Sequence, residues 1–200
     1  MTDDSANAGR RRFLVGSTSA VGAAGVVGAA VPFVASWNPS ARARAAGAPV
    51  RIDISRLEVG EILGPIPAWR GRPIFVVRRS DEALQALTTM DDRLTDPDSE
   101  QPEQPSYAQN EYRSRQPELL VLVGLCPHLF CSPTPHIELQ PEPFDPNWNG
   151  GFFCPCHGSR FDLAGRVYSG SPASRNMEVP PYYYESDDVL VIGEDGEDVA

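Results

Sequence analysis

The chain has 200 residues, 41% of them hydrophobic, and 17 basic side chains against 27 acidic ones give a formal net charge of -10. That is enough apolar material for a core and too little for a multispan membrane protein, and the acidity argues against a nucleic-acid-binding domain. Twenty Pro and 17 Gly favour loops over a helical bundle, and every basic residue is Arg, which excludes Schiff-base and P-loop chemistry built on Lys.

Residues 1–45 carry five Arg (Arg10, Arg11, Arg12, Arg42, Arg44) and two acids (Asp3, Asp4), whereas residues 46–200 carry 12 Arg and 25 acids. The asymmetry marks a boundary near residue 45. Phe13 to Trp37 contains no charge, and as a helix it would be about 37 Å long, enough to cross a hydrocarbon core. Ahead of it stands Arg10-Arg11-Arg12-Phe13-Leu14, which matches the R-R-x-F-L core of a twin-arginine export signal. The run is rich in Gly and Ala and only mildly apolar, which suits that route. It reads either as a segment cleaved after an A-x-A-like site within residues 41–46, or as one retained anchor helix with a cytoplasmic N-terminus. Gly22, Ala24, Gly25 and Gly28 either admit a neighbouring helix or simply keep the segment weakly apolar. Ser36 to Pro49 reads as a linker, because Pro39 stops a helix and Gly47 and Pro49 prevent a stable new one.

Beyond the linker, Val50–Ile54 alternates apolar and polar residues as a half-buried strand does. Pro73–Val77 reads as a β-branched strand. A short helix follows through about Leu87, with Ser80 as its N-cap and Asp81 and Glu82 in its first turn. Asp91 to Pro117, rich in Pro, Gln, Asp and Glu, reads as an excursion loop. Leu119–Val123 predicts a buried strand, and Phe152-Phe153, Arg160–Leu163 and Val189–Ile192 predict further short ones. Short strands broken by Gly and Pro make the body all-β. Glu194–Asp198 reads as a solvated acidic end.

Two windows carry the chemistry. The first is Cys126-Pro127-His128-Leu129-Phe130-Cys131 and the second Cys154-Pro155-Cys156-His157-Gly158-Ser159. Each holds two Cys and one His after an apolar run, so two loops at strand ends would form a two-sided clamp. An exported chain could instead pair all four cysteines as disulfides and leave the imidazoles idle. Zinc could take Cys126, His128, Cys154 and His157. His136 lies outside both windows, in a Pro-rich stretch, and reads as a surface loop residue.

The spacing C-x-H-x-x-C followed by C-x-C-H-G-S resembles that of the Rieske iron–sulfur proteins, most closely the iron–sulfur subunits of quinol–cytochrome c reductases. The likeness extends to the export segment, the linker, Trp69–Arg79, Asn110–Ser114 and Val179–Tyr182. It implies a Rieske-type antiparallel β-sandwich base over residues 50–200, with a small cluster-binding subdomain at about 124–175. It also implies a transmembrane anchor over 13–37 behind a cytoplasmic segment 1–12, and a flexible linker over 38–49. One [2Fe–2S] cluster would be held by Cys126 and Cys154 on one iron and by His128 and His157 on the other, the arrangement that raises the potential of such centres. Cys131 and Cys156 would form a disulfide, Ser159 would hydrogen-bond a cluster sulfide, and Gly170-Ser171-Pro172 would be a third loop over the cluster. Leu129 and Pro172 would shield it. His128 and His157 would be the catalytic histidines, with His157 favoured as the one that meets quinol.

The same resemblance implies an electron-transfer subunit that takes an electron from ubiquinol, releases a proton through a ligand imidazole and passes the electron to a c-type cytochrome. Its partners would be cytochrome b and that cytochrome in a dimeric complex of the bacterial inner membrane, with the head on the periplasmic side. The competing readings are the Rieske small subunit of an exported molybdenum oxidase, such as arsenite oxidase, and a structural zinc protein. The sequence departs from the family at Pro127 and Phe130, usually Thr and Gly, and at Phe161, where most high-potential members carry Tyr. Loss of that hydroxyl donor predicts a lower potential.

Overall fold

The computed structural model describes residues 3–196, which divide into two compact units at the Ala45/Ala46 boundary. Glu197 and Asp198 of the acidic end lie outside the described residues.

In the first unit, helix α1 spans Asp3–Ser36. It begins ten residues before the uncharged run, because Asp3 and Asp4 suit a helix N-terminus and nothing before Phe13 breaks a helix. Pro32 lies inside it, and the Ser36 hydroxyl donates to the Phe33 carbonyl in the last turn. The expectation of a helix-free linker is corrected: α2 occupies Ala41–Ala46. Ser40 caps it, its hydroxyl accepting the Ala43 N–H and its carbonyl the Arg44 N–H, and four Ala and two Arg favour the short turn.

The second unit holds three antiparallel three-stranded sheets. The first joins β1 (Val50–Asp53), β9 (Val189–Ile192) and β8 (Tyr182–Ser186), with β9 in the middle. In the second, β3 (Arg72–Arg78) lies between β2 (Glu61–Trp69) and β4 (Leu119–Val123). In the third, β6 (Gly151–Phe153) lies between β5 (Thr134–His136) and β7 (Arg160–Phe161). Helix α3, Asp81–Leu87, follows β3 and is capped by the Ser80 hydroxyl.

Strands β1, β3, β4 and β9 fall where the apolar patterning places them. Three strands carry no such signal. Gly64, Pro65 and Pro67 interrupt β2, which pairs with β3 through two register shifts. Pro135 sits in β5, an edge strand where a missing N–H is tolerated. Tyr182–Ser186 is held in β8 by its register against β9. The stretch Arg160–Leu163 is strand only as far as Phe161, because the Asp162 carboxylate turns the chain by accepting the N–H groups of Ala164 and Arg166.

One apolar core runs through all three sheets and includes Ile52, Ile74, Phe75, Leu120, Leu122, Phe152, Phe161 and Leu190. Phe75 of β3 stacks on Phe152 of β6 with ring centroids 5.6 Å apart, which joins the second sheet to the third. All five residues of β4 are buried, and its free edge is closed where the Val123 N–H meets the Glu178 carbonyl.

The segment Asp91–Pro117 is not a solvent excursion. It contains two 3-10 turns, Asp91–Arg93 and Ser106–Ala108, and buries Leu94, Asp96, Ser99, Ala108, Arg113 and Ser114. Three buried guanidinium groups stitch the body together. Arg79 donates to the carbonyls of Tyr112, Leu163 and Pro117, and Arg113 to those of Ala164, Gly165 and Met177. Arg166 pairs with Asp162 at 2.8 Å and donates to the Leu87 carbonyl. Burial pulls Arg79 and Arg113 down to about 10, still protonated at neutral pH. Charge in a low-dielectric interior is tolerated here because carbonyl dipoles surround it. Replacing Arg113 by Met should therefore cost on the order of 3 kcal/mol, since it orphans several buried acceptors at once. The check is the urea midpoint of the full chain, which should fall.

Candidate metal centre

The two Cys/His windows fold into the same loop. In each, the N–H of the first Cys donates to the carbonyl five residues on, Cys126 to Cys131 at 2.7 Å and Cys154 to Ser159 at 2.8 Å. In each, the N–H four residues on returns to the first Cys carbonyl, Phe130 to Cys126 at 2.9 Å and Gly158 to Cys154 at 2.8 Å. The fifth residue of each loop must take a left-handed conformation, and does so with φ 62° at Phe130 and φ 80° at Gly158. That geometry comes freely to Gly158 and costs Phe130 about 1 kcal/mol. The first loop continues from β4 and the second from β6, so the Phe75–Phe152 stack sets the separation of their bases.

Cys131 and Cys156 are joined in a disulfide, their Cα atoms 6.6 Å apart. Cys126 and Cys154 are free and buried in the main core. His128 and His157 face one another edge to face, ring centroids 4.9 Å apart. His128 is half-buried and His157 exposed. Burial pushes the Cys126 thiol up, while the His128 backbone N–H and the Ser159 hydroxyl work against that shift. Ser159 is itself buried, and its Oγ accepts the Ala173 N–H at 3.0 Å, which brings the third loop over the site. Ser171 reinforces that loop by accepting the Arg160 N–H. Pro172 is exposed, as are Leu129 at 61% and Phe130 at 73%. Phe161 is fully buried in β7, opposite Phe152.

The donor set fits a two-iron group better than one ion. A tetrahedral zinc site would hold its four donors roughly 3.5 Å apart, given bond lengths near 2.0–2.3 Å. Among the described residues, the Cys, His and acidic donor atoms that gather within 4.8 Å are those of Cys131, Cys154 and Cys156, of which only Cys154 is a free thiol. Cys126 and Cys154 form a sulfur pair and His128 and His157 a separate imidazole pair. Two soft sulfurs on one side and two nitrogens on the other match a Rieske [2Fe–2S] centre.

Two features were not legible in the windows. The Asp145 carboxylate, 4% exposed, binds Arg93 at 2.5 Å and Arg160 at 3.0 Å, clamping the segment between the boxes to the residue after Ser159. No spacing rule marks such a pair. His136, expected on a surface loop, is half-buried in β5, and its Nδ1 lies 3.0 Å from Glu142. The alternation that would have revealed a strand there is masked by Pro133 and Pro135.

The glycines in and before the second loop differ sharply in tolerance. A Cβ on Gly151 would lie 2.0 Å from the Phe161 carbonyl oxygen, whereas one on Gly158 meets nothing within 4 Å. Gly151→Ala should break the β6–β7 pairing at a cost on the order of 3 kcal/mol or more, and Gly158→Ala should cost about 1 kcal/mol, the backbone penalty alone. Denaturant midpoints of the two variants, measured side by side, check the contrast.

Residues 1–40 match the family model described as "Ubiquitinol-cytochrome C reductase Fe-S subunit TAT signal", and residues 108–182 match the Rieske [2Fe-2S] domain. The chain is 54% identical to the ubiquinol–cytochrome c reductase iron–sulfur subunit of Allochromatium vinosum, over 98% of this chain and 93% of that protein. It is 42% identical to the corresponding subunit of Blastochloris viridis, over 96% and 97%. Among solved structures it is similar to a chain of a hyperthermophilic respiratory complex III, at 23% identity over 86% of this chain and 96% of that one, with a TM-score of 0.47. The two relatives are matched along almost their whole length, and on that evidence the chain belongs to the Rieske [2Fe–2S] iron–sulfur subunits of ubiquinol–cytochrome c reductase.

Proposed function

We propose that this chain is the electron-transfer subunit of a quinol–cytochrome c oxidoreductase, working with a cytochrome b and a c-type cytochrome. The observation that carries the reading is the pair of matching loops, each delivering one buried thiol and one imidazole, in a chain 54% identical to such a subunit. Cys126 and Cys154 would hold one iron and His128 and His157 the other. When bound, the [2Fe–2S] group supplies a one-electron acceptor at raised potential.

The protein's own residues would do the rest. His157 is the exposed imidazole, so its outer ring nitrogen would be the one that a quinol hydroxyl reaches, and it would take up the quinol proton there only after giving up its own N–H proton. His128, half-buried, would serve as ligand without that contact. Leu129, Phe130 and Pro172 are exposed apolar side chains and would exclude water from the bond between quinol and imidazole. Ser159 would hold the third loop and offer its hydroxyl toward the sulfur side. The Cys131–Cys156 bridge would keep the two imidazoles at a constant separation whichever redox state the site is in.

The N-terminal unit supports a membrane-anchored subunit. α1 is long and apolar enough to cross a bilayer, and its uncharged part from Phe13 onward follows the Arg10-Arg11-Arg12 signal that the same helix carries. Residues 1–12 would remain in the cytoplasm, 13–37 would span the inner membrane of a bacterium and 38–49 would tether the head, residues 50–200, on the periplasmic side. The complex would be dimeric, and its quinol ubiquinol.

The full chain, purified and reduced stepwise, should show visible absorption and an electron paramagnetic resonance signal in its reduced form. His157→Ala and Cys154→Ser should each abolish both. A colourless, zinc-loaded chain, or one whose signal survives either substitution, would overturn the ligand assignment. A separate expectation concerns Phe161. A Tyr there would place a hydroxyl in a fully buried position two residues beyond Ser159, with a ligand sulfur as the acceptor the family offers. A hydrogen bond to an anionic sulfur favours the reduced centre, so Phe161→Tyr should raise the midpoint potential in a redox titration.

A further inference from the structure

The sulfur atoms of Cys131, Cys154 and Cys156 lie within 4.8 Å of one another. Two of them form the disulfide, and the third belongs to a free cysteine. This crowding follows from the second loop, where Cys154 and Cys156 flank a single Pro, and from the bridge that draws Cys131 of the first loop to Cys156. A thiol held this close to a disulfide is placed for exchange with it.

We propose that Cys154 is an internal nucleophile toward the Cys131–Cys156 disulfide, so that iron ligation at Cys154 and survival of that disulfide are coupled. The inference rests on the reading of Cys154 as an iron ligand. In the exchange, Cys154 thiolate attacks Sγ of Cys131. A Cys131–Cys154 bond forms as the Cys131–Cys156 bond breaks, and Cys156 leaves as a thiolate that takes up the proton Cys154 lost. One disulfide and one thiol are present before and after, so no external oxidant or reductant enters. Attack falls on Cys131 because a Cys154–Cys156 bridge would close over Pro155, whose fixed φ restricts the approach of the two sulfurs.

The exchange costs little in chain entropy. The native bridge joins residues 25 apart in sequence, and the new one shortens that separation by only two, while still tying the same two loops. Its consequence for the site is large. Cys126 would keep its thiol, but the second thiolate ligand would be consumed, and the thiol released in its place, Cys156, lies on the exposed side of the loop. Iron bound to Cys154 engages the attacking lone pair and prevents this.

The test uses the full chain in detergent, isolated with iron bound and then divided. One half is treated anaerobically with a chelator, both halves are quenched at intervals with N-ethylmaleimide, and disulfides are mapped by mass spectrometry without reduction. The chelated half should accumulate a Cys131–Cys154 cross-link with alkylated Cys156, at least tenfold faster than the iron-bound half. In Cys154→Ser the Cys131–Cys156 bridge should persist and Cys156 stay unlabelled. Cys126→Ser also loses a ligand but retains the nucleophile, so it should exchange as the chelated chain does, which separates exchange from general unfolding. An intact Cys131–Cys156 bridge with alkylated Cys154 in the chelated chain would overturn the proposal, as would equal labelling of Cys156 in Cys154→Ser. Equal exchange rates with and without iron would leave the nucleophile standing but overturn the coupling and remove Cys154 from the ligand set.

Discussion

The covalent bridge between Cys131 and Cys156 and the ring stack between Phe75 and Phe152 hold the same pair of loops at different points. The stack sits near the bases, where β4 and β6 leave the core, and the disulfide ties the closing residue of the first loop to the middle of the second. Between them each loop is closed by its own two backbone hydrogen bonds. A metal-binding loop that carries its ligands on flexible backbone would lose affinity to conformational entropy on ordering. These loops are ordered by groups that are not ligands, so the ligand side chains are free to serve the metal.

Supporting this frame required burying charge. Arg79, Arg113 and Arg166 lie in the interior, facing mainly backbone carbonyls with Asp162 as the charged partner of Arg166. Arg suits this task because its planar fork serves several acceptors at once, where a Lys would concentrate one charge at one point. The arrangement explains how a segment as polar as Asp91–Pro117 can pack against the body, and why Gly165 and Leu163, on the strand-to-third-loop connection, are held from several directions. Asp145 extends the same logic to the segment between the boxes, gripping Arg93 and Arg160 while both guanidiniums lie over the Tyr168 ring.

The surface over the site has the opposite character. Leu129 and Phe130 project into solvent, and Phe130 holds a backbone conformation that its counterpart in the other loop leaves to glycine. A large exposed ring at a strained position is costly in the isolated chain, which is consistent with a tip that is covered by apolar surface when it works.

Local chemistry made much of this readable in advance. The two Cys/His windows declare their donor types by identity and spacing, the uncharged run after three Arg declares an apolar helix, and β1, β3, β4 and β9 follow from alternating or continuous apolar residues, because each of these signals lies within a few consecutive residues. The cysteine pairing is of another kind, since a single bridge among four cysteines can form in six ways and the facing of the loops selects one. Strands β2, β5 and β8, interrupted by proline or lacking alternation, exist because a neighbour supplies their hydrogen bonds. The burial of three arginines likewise depends on carbonyls as much as 84 residues away in the chain. Sequence specified which atoms could bind metal and carry charge; the tertiary fold alone decided which of them meet, because those distances are set by packing between segments that have no local knowledge of one another.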